Sequence, residues 1–364
     1  MKNYARKYFA GFIASTCLMS LLPVLAEGWG RDGHRIVGRI AAKHLSQKTQ
    51  TAILNLLIAD PDDRDHCRQQ TSLDAKFACI ATWADEVRND NRFGKTAPLH
   101  FVDIPIYVAP AKRRYVASRD CVNGECVIQA LEKYRRILVD QTKSASSRAL
   151  ALKFIVHFVG DMHQPLHDAF DHDKDAANKE NNPKITDKGD RGGNLKIVTW
   201  LGQEANQFGC WNLHAVWDEG IIEKKNLSDE AYADALNSAI DPEKIPGIQK
   251  GTVIAWANEA LGLAVNHSYK LPLRDTADKV CEVKAADKKV CTKFDAQACV
   301  GNEVHYRYRL DEAYNDSNLP VVELQLTKGG LRLAKFLNDI FDPAGVTGGY
   351  ARATSGRTPG NRSH

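Results

Sequence analysis

Apolar residues recur every three or four positions through most of the chain, which is the pattern of helices that bury one face. Alternation of apolar and polar residues, typical of a half-buried strand, is scarce, and 196–201 is the best strand candidate. The pattern therefore predicts a mainly α protein, a single multi-helix domain with a small β-hairpin element. The predicted helices span 36–45, 49–59, 77–87, 127–141, 147–159, 230–239, 252–265 and 319–341.

Polar segments separate the predicted helices. Segments 60–72 and 171–191 lack apolar periodicity, so we expect both to be solvated. Residues 273–300 are predicted to form a charged, cysteine-bearing insertion. No internal repeat and no clear linker divides the chain, so we expect one domain over 29–344 and a disordered, glycine-containing tail at 345–364.

The N-terminus has the features of a cleavable export signal. Three basic residues within the first seven positions precede a largely apolar run at 9–25. Small residues fit cleavage before Trp29 and also before Glu27, and the sequence leaves both open. No later apolar run is long enough to cross a bilayer. We therefore expect residues 1–28 to be a signal peptide and the mature protein to be secreted or periplasmic, with no membrane anchor.

Charge and cysteine content limit the function and the compartment. Removal of the signal peptide lowers the net charge from +4 to +2, which excludes a basic surface as the main means of holding nucleic acid. Cys17 leaves with the signal, and an even number of cysteines remains in an exported chain, which favours disulfides. Cys121 with Cys126 and Cys67 with Cys79 are the expected pairs. Four cysteines stay unassigned: Cys210, Cys281, Cys291 and Cys299.

Histidine and aspartate are placed one helical turn apart in two places. His157 with Asp161, and His214 with Asp218, stand at i and i+4 and so share a helix face. A proline ends the first helix, and the turn after it presents His167 near the same cavity. One such pair is more often a hydrogen-bonded pair than a metal site. Two pairs with a third histidine favour zinc, which takes imidazole nitrogen and carboxylate oxygen.

Further candidate ligands lie upstream. Asp85 and His100 could complete a site with the first His/Asp pair, although a lone Asp85 would ordinarily be a solvated helix residue. A mature chain that begins at Trp29 would offer its α-amine and carbonyl oxygen as a five-membered chelate. His34, five residues further on, could close that site from the same side.

The candidate ligands lie in motifs that resemble those of the plant, fungal and microbial single-strand-specific zinc nucleases, which share a superfamily with the bacterial zinc phospholipases C. The resemblance spans most of the chain from Trp29 to the C-terminal helix and implies a helical fold of the zinc phospholipase C/nuclease type. The motifs are Trp29-Gly30, Gly33-His34, Trp83-Ala84-Asp85, Leu99-His100-Phe101, Val156-His157-Phe158-Val159-Gly160-Asp161, Gln164-Pro165-Leu166-His167, Gly192-Gly193-Asn194, Asn212-Leu213-His214 and Trp217-Asp218.

The resemblance implies three zinc ions at the bottom of a cleft, with Asp161 shared by the first and the third. The implied ligands are Asp85, His100, His157 and Asp161 for the first ion, His167, His214 and Asp218 for the second, and the amine and carbonyl of Trp29 with His34 for the third.

The implied activity is hydrolysis of phosphodiester bonds in single-stranded DNA and RNA to 5′-phosphate products, together with action on 3′-nucleotides, by a monomer. A metal-bridged hydroxide would be the nucleophile, and Asp85 and Asp161 would be catalytic through the ions that they hold. Arg88 stands one turn beyond Asp85 and is a candidate phosphate donor, the alternative being an exposed helix charge.

Three residues are candidates for substrate binding. Phe101 follows a ligand and would stack on a base, and Asp103 would accept a hydrogen bond from a base edge, although either could instead be a core or capping residue. Asn194 would contact the substrate or orient a ligand. Two other functions remain open: a zinc-dependent phospholipase C, and an exported protein that only binds zinc.

Overall fold

The computed structural model describes residues 29–62, 66–172, 189–207, 209–272, 278–285, 288–295, 297, 299–300 and 302–344. Helices dominate these residues, which confirms the predicted mainly α fold. The predicted signal peptide, the predicted tail and most of segment 171–191 lie outside the described residues. Within the described part of the chain, no helix combines the length and the apolar character needed to cross a membrane.

Long helices of the core are connected by short helices, 3₁₀ turns and short strands. The helices are α1 (Arg31–Lys43), α2 (Gln47–Ile58), α3 (Leu73–Ile80), α4 (Trp83–Val87), α5 (Ala117–Asp120), α6 (Val127–Val139), α7 (Ala145–Asp161), α8 (Leu213–Ala215, continued by the π-turn Val216–Gly220 and by Ile221–Glu223), α9 (Asp229–Ser238), α10 (Ile245–Ile248), α11 (Val253–Leu263, continued by the π-turn Ala264–Ser268) and α12 (Glu312–Phe341). The 3₁₀ turns are His66–Gln69, Ala97–His100, Pro110–Lys112, Val122–Gly124, Pro165–His167 and Pro242–Lys244. The strands are β1 (Val198–Trp200), β2 (Ala205–Asn206), β3 (Gly209–Cys210), β4 (Lys279–Ala285), β5 (Lys288–Lys293), β6 (Glu303–Tyr306) and β7 (Tyr308–Leu310).

Helix α7 is buried almost all round and carries polar side chains into the interior. It packs against α1, α2, α4, α6 and α12, and its residues from Ala151 to Asp161 are all buried. Lys153, His157 and Asp161 follow each other at intervals of four, so they form one stripe along the helix. Buried polar groups need partners. The elements that face this stripe must therefore supply them.

The predicted helix 77–87 is wrong in one respect, because the chain breaks it between α3 and α4. The side chain of Thr82 donates to the carbonyl oxygen of Cys79 at 3.0 Å, in competition with the regular helical pattern. The carbonyl oxygen of Ala81 instead accepts from the ring of His157 at 2.6 Å. The break therefore supplies one of the partners that the polar stripe of α7 requires.

The C-terminal helix α12 begins at Glu312, earlier than the predicted start at 319. The side chain of Asp311 caps it by accepting from the amide of Tyr314 at 3.1 Å. Pro320 lies inside this helix. The missing N–H is tolerated here because α12 packs against α1 and α7 in the core.

The sheets are small, and the sequence predicted only part of them. Strand β1 forms inside the predicted segment 196–201, but it pairs in parallel with β7, and β2 and β3 form a short antiparallel hairpin. The segment expected to be a charged insertion contains strands β4 and β5, which form an antiparallel sheet with β6 just beyond it, and the sequence analysis missed this sheet. The high charge of the segment obscured its strands, although Val280 and Cys281 on β4 are buried.

Four disulfides fix the connections between elements. Cys67–Cys79 and Cys121–Cys126 confirm the two predicted pairs. The four unassigned cysteines pair as Cys210–Cys291, which joins β3 to β5, and as Cys281–Cys299, which joins β4 to the segment between β5 and β6.

Candidate metal centre

Four of the candidate ligands converge on one carboxylate at the end of α7. Oδ2 of Asp161 lies 3.1 Å from Nδ1 of His100 and 3.2 Å from Nε2 of His157. Oδ1 of Asp85, on α4, lies 3.4 Å from the same His100 nitrogen and 3.6 Å from the same His157 nitrogen. All four side chains are buried. The predicted ligands of the first ion are thus neighbours: His100, His157 and Asp161 lie within the reach of a single cation, and Asp85 lies beside both histidines.

The Ala81 carbonyl fixes the tautomer of His157. A carbonyl oxygen can only accept, so Nδ1 of His157 must donate to it, and Nε2 of the neutral ring then presents a lone pair. That lone pair points at the two carboxylates. This is the arrangement that metal-ligating histidines show, with one ring nitrogen held by a backbone carbonyl and the other free to bind.

His167 and His214 bring two ring nitrogens face to face. Nδ1 of His167 donates to the carbonyl oxygen of His100 at 2.7 Å, and Nδ1 of His214 donates to that of Gly192 at 2.7 Å. The two Nε2 atoms, each with a lone pair in the neutral ring, are 3.1 Å apart. Two nitrogens on a tetrahedral zinc with bonds of about 2.0–2.1 Å would be about 3.3 Å apart. The donor set therefore fits a cation, which would relieve the repulsion between the lone pairs.

Asp218 completes the second group. Its Oδ2 lies 3.3 Å from Nε2 of His214, one turn away on α8. Its Oδ1 accepts a hydrogen bond of 2.6 Å from Nε2 of Gln164, whose own Oε1 accepts from the amide of Leu166 at 2.6 Å. Gln164 is fully buried and therefore holds the carboxylate in one orientation.

The first residues of α1 reach the same cluster. Nε2 of His34 lies 3.3 Å from Oδ1 of Asp161, and the His34 ring stacks on that of His157 with centroids 3.9 Å apart. Trp29 is fully buried, and the amide of Gly30 donates to the backbone carbonyl of Asp218 at 3.0 Å. The start of the predicted mature chain is thus tied to the second ligand group.

Burial sets the ionisation of the cluster. It lowers the pKa of His34 to about 4 and that of His214 to about 3, so both rings are neutral and able to bind metal at neutral pH. Burial opposes the charge of His157 as well, but nearby carboxylates, chiefly Asp161, outweigh it and raise its pKa to about 9. Burial raises the pKa of Asp218 well above its usual range. A divalent cation would supply the positive charge that such buried carboxylates need.

Arg88 lies beside the ligands. Its side chain is 8% exposed, so the alternative of an exposed helix charge is excluded. Nη1 of Arg88 lies 3.7 Å from Oδ1 of Asp85. The guanidinium therefore borders the ligand cluster.

The three predicted substrate residues occupy different settings. Phe101 is 39% exposed although it directly follows a buried ligand, so it is not a core residue. Asp103 is solvent-accessible, yet protein atoms around its carboxyl desolvate it and, with the charges of Asp190 and Asp120, raise its pKa to about 6. Asn194 donates to the carbonyl oxygen of Arg191 at 2.9 Å, which is a contact within its own turn.

Residues that orient the ligands were missed by the sequence analysis. Gly192 adopts a φ of +63°, and a Cβ there would overlap the carbonyl oxygen of Leu166, so only glycine places its own carbonyl under His214. Gln164 was noted only as part of a family motif. The backbone carbonyls of Ala81, His100 and Gly192 carry no side-chain signal.

Comparison with known proteins agrees with this geometry. The sequence profile of the family described as S1/P1 Nuclease matches residues 29–342. Endonuclease 3 of Arabidopsis thaliana is 31% identical over 342 residues, which cover 91% of this chain and 95% of that protein. Nuclease S1 of Aspergillus oryzae is 29% identical over 323 residues, covering 87% of this chain and 93% of that protein. Nuclease P1 of Penicillium citrinum is 28% identical over 312 residues, covering 86% and 97%. The chain belongs to the S1/P1 nuclease family.

Proposed function

We propose that this nuclease is an exported, zinc-dependent endonuclease that hydrolyses phosphodiester bonds in single-stranded DNA and RNA, leaves 5′-phosphate products and also acts as a 3′-nucleotidase. The observation that carries the proposal is the convergence of buried histidine and aspartate side chains around Asp161, directly beside the exposed ring of Phe101. The cluster supplies ligands for cations, and the aromatic ring supplies a place for a base.

The proposal assigns three zinc ions to this cluster. The implied division is supported by the distances, since Asp161 uses Oδ2 toward His100 and His157 and Oδ1 toward His34 at 3.3 Å. A carboxylate whose two oxygens face different histidines can serve as a ligand of two ions. Following the resemblance, the assigned ligands are Asp85, His100, His157 and Asp161; His167, His214 and Asp218; and Trp29 with His34 and Asp161. His34 also lies within reach of a cation shared with Asp85 and His157.

When bound in such a cluster, zinc polarises the phosphoryl group and supplies a nucleophile at neutral pH. The protein contributes the positions of the groups around it. Buried contacts hold both carboxylates in orientation: Asp85 lies beside His100 and His157, and Asp161 lies beside His34, His100 and His157. Arg88, whose guanidinium borders the cluster, would donate two parallel hydrogen bonds to phosphoryl oxygens and so stabilise the charge that grows there in the transition state.

The preference for single strands follows from the stacking residue. A base inside a duplex is already stacked and paired, so its face is not available to Phe101. Asp103 lies two residues further along the same extended segment and would accept a hydrogen bond from the edge of the stacked base. Asn194, at the turn that orients His214, would act on a ligand through that turn or contact the substrate directly.

A phospholipase C would share the metal cluster but must also meet a lipid surface. The matching family is a nuclease family, and the relatives compared above are nucleases. The nuclease function is therefore favoured over the phospholipase alternative.

Export is part of the proposal. We propose that residues 1–28 are removed as a signal peptide, that 29–344 form the nuclease domain of a secreted or periplasmic monomer, and that 345–364 form a disordered tail. The family match beginning at Trp29 and the burial of Trp29 support a mature chain that starts there.

The test is metal analysis of the purified secreted protein, combined with N-terminal sequencing and cleavage assays on single- and double-stranded DNA. We expect about three zinc ions per chain, one for each ligand group, loss of single-strand cleavage on chelation and its return with zinc. His214→Ala should lower the zinc content and the activity. His267→Ala, which removes a half-buried histidine outside the cluster, should change neither. An active metal-free protein would overturn the proposal.

A further inference from the structure

An extended segment leads outward from the stacking residue. Residues 101–107 run beside 167–170, and backbone hydrogen bonds of 2.8–3.1 Å join the two. Phe101, Asp103 and Tyr107 are exposed on this segment, whereas the even-numbered side chains between them are buried. The segment therefore places a second exposed aromatic ring six residues beyond Phe101.

Tyr107 offers a ring that its neighbours hold in place. It stacks on His172 with ring centroids 3.4 Å apart and an interplanar angle of 22°, and the edge of Phe170 contacts it at 5.6 Å. The tyrosine nevertheless remains 40% exposed. A large apolar ring kept at the surface in a fixed orientation is a feature of sites that stack bases.

A run of basic residues follows this ring. Four basic residues and no acidic residue fall within 112–119, in a chain whose net charge is only +4. The turn is fixed by its own hydrogen bonds, since Nε of Arg113 donates to the carbonyl oxygen of Val108 at 3.1 Å and Nη2 of Arg119 donates to that of Arg114 at 2.7 Å. The side chains of Lys112 and Arg114 are exposed.

The basic turn lies next to the aromatic ring. The hydrogen bond from Arg113 ends on the carbonyl oxygen of Val108, the residue that directly follows Tyr107. An aromatic platform beside a local excess of positive charge complements a strand that has bases on one side and phosphates on the other.

We propose that Tyr107, Lys112 and Arg114 form an outer subsite, which binds the nucleotides of a single strand that extend beyond the one stacked on Phe101. This inference rests on the proposed function and deepens it, because it makes the enzyme favour long single strands over dinucleotides. The occupant is a nucleic acid strand rather than a protein or lipid, since the subsite continues the segment that carries Phe101 and Asp103.

Steady-state kinetics on a thymidine dinucleotide and a thymidine dodecamer test the subsite. The zinc-loaded wild type should have a lower KM for the dodecamer. Tyr107→Ser should raise the dodecamer KM about tenfold, since one base stack contributes about 1–3 kcal/mol, and Tyr107→Phe should not. The double variant Lys112→Ser with Arg114→Ser should reduce the slope of log KM against log salt by about 1.4, or about 0.7 for each phosphate that the protein no longer neutralises. All variants should leave the dinucleotide kinetics unchanged.

A matched control removes the same charge elsewhere. Lys143→Ser with Lys250→Ser takes away two exposed lysines from other turns and should keep the wild-type salt slope. Equal wild-type KM values for the two substrates, or an outer variant that behaves like this control, would overturn the subsite.

Binding separates the subsite from the proposed function. Fluorescence anisotropy with a labelled phosphorothioate dodecamer reports binding without hydrolysis. If the wild type cleaves neither substrate but binds the dodecamer, and Tyr107→Ser weakens that binding, the proposed activity fails and the subsite stands. If cleavage occurs and binding is indifferent to Tyr107, the subsite fails alone.

Discussion

Replacing Gly160 by alanine should disable His34 while leaving the fold intact. A Cβ at this position would lie 2.8 Å from Nδ1 and 3.1 Å from Cε1 of His34. Ordinary contacts begin near 3.4 Å, so the imidazole must move by about 0.6 Å. Its movement is restricted, because the ring is stacked on His157 with ring centroids 3.9 Å apart. The displacement therefore moves Nε2 of His34 away from Asp161.

The effect on activity should be larger than the effect on stability. A misplacement of about 1 Å costs about 100-fold in rate, so we expect kcat/KM to fall about 10- to 100-fold. Alanine gains about 1 kcal/mol over glycine inside a helix, whereas overpacking costs about 1–3 kcal/mol. Gly160→Ala should therefore lose at most about 2 kcal/mol of stability, which shifts Tm by only a few degrees.

Zinc content, kcat/KM on single-stranded DNA and thermal unfolding measure the three consequences. Gly262→Ala is the matched control, because Gly262 is also helical and a Cβ there would meet no atom within 4 Å. It should keep full activity and gain up to about 1 kcal/mol of stability. Wild-type zinc content and kcat/KM in Gly160→Ala would refute the reasoning that His34 needs this glycine.

Three further predictions concern residues around the cluster. Gln164→Leu removes the 2.6 Å hydrogen bond to Asp218 and should weaken zinc binding about 10- to 100-fold in a chelator competition titration. Unchanged affinity would show that Asp218 does not need Gln164 to hold its orientation. The pKa of Asp103 is raised to about 6, so its carboxyl becomes protonated as pH falls through 6 and accepts hydrogen bonds from a base edge less strongly; the KM for a guanine dinucleotide should rise there, and Asp103→Asn should abolish this pH dependence. Lys153→Met removes the buried ion pair with Asp60 and should cost about 3–5 kcal/mol in urea unfolding, while the double variant with Asp60→Leu should recover part of that loss, and a purely additive loss would contradict the pairing.

Side-chain spacing made the core of the site predictable. His157 with Asp161 and His214 with Asp218 are one helical turn apart, and the helix geometry alone brings each pair to 3.2–3.3 Å. Spacing alone did not predict the contacts between residues that are far apart in the sequence. His100 reaches Asp161 across 61 positions of sequence, so the sequence offered it only as a candidate, and the resemblance to a family assigned it to the first ion.

What the sequence could not show is the part played by the backbone. The carbonyl oxygens that hold His157, His167 and His214 belong to Ala81, His100 and Gly192, and any residue has a carbonyl. The break at Ala81 was hidden because apolar periodicity continues through it. A local departure from helical geometry at such a point contributes to the site rather than to stability.

The Cys67–Cys79 disulfide joins the 3₁₀ turn His66–Gln69 to α3, and the carbonyl of Ala81 lies at the C-terminal end of α3. Cys79 stands two residues before Ala81, and its own carbonyl oxygen accepts from Thr82. The covalent bond and the support for His157 therefore belong to one short stretch of chain. Protein made in a reducing cytoplasm would hold this stretch less firmly, so recombinant production in an oxidising compartment should give material with more zinc per chain than cytoplasmic production.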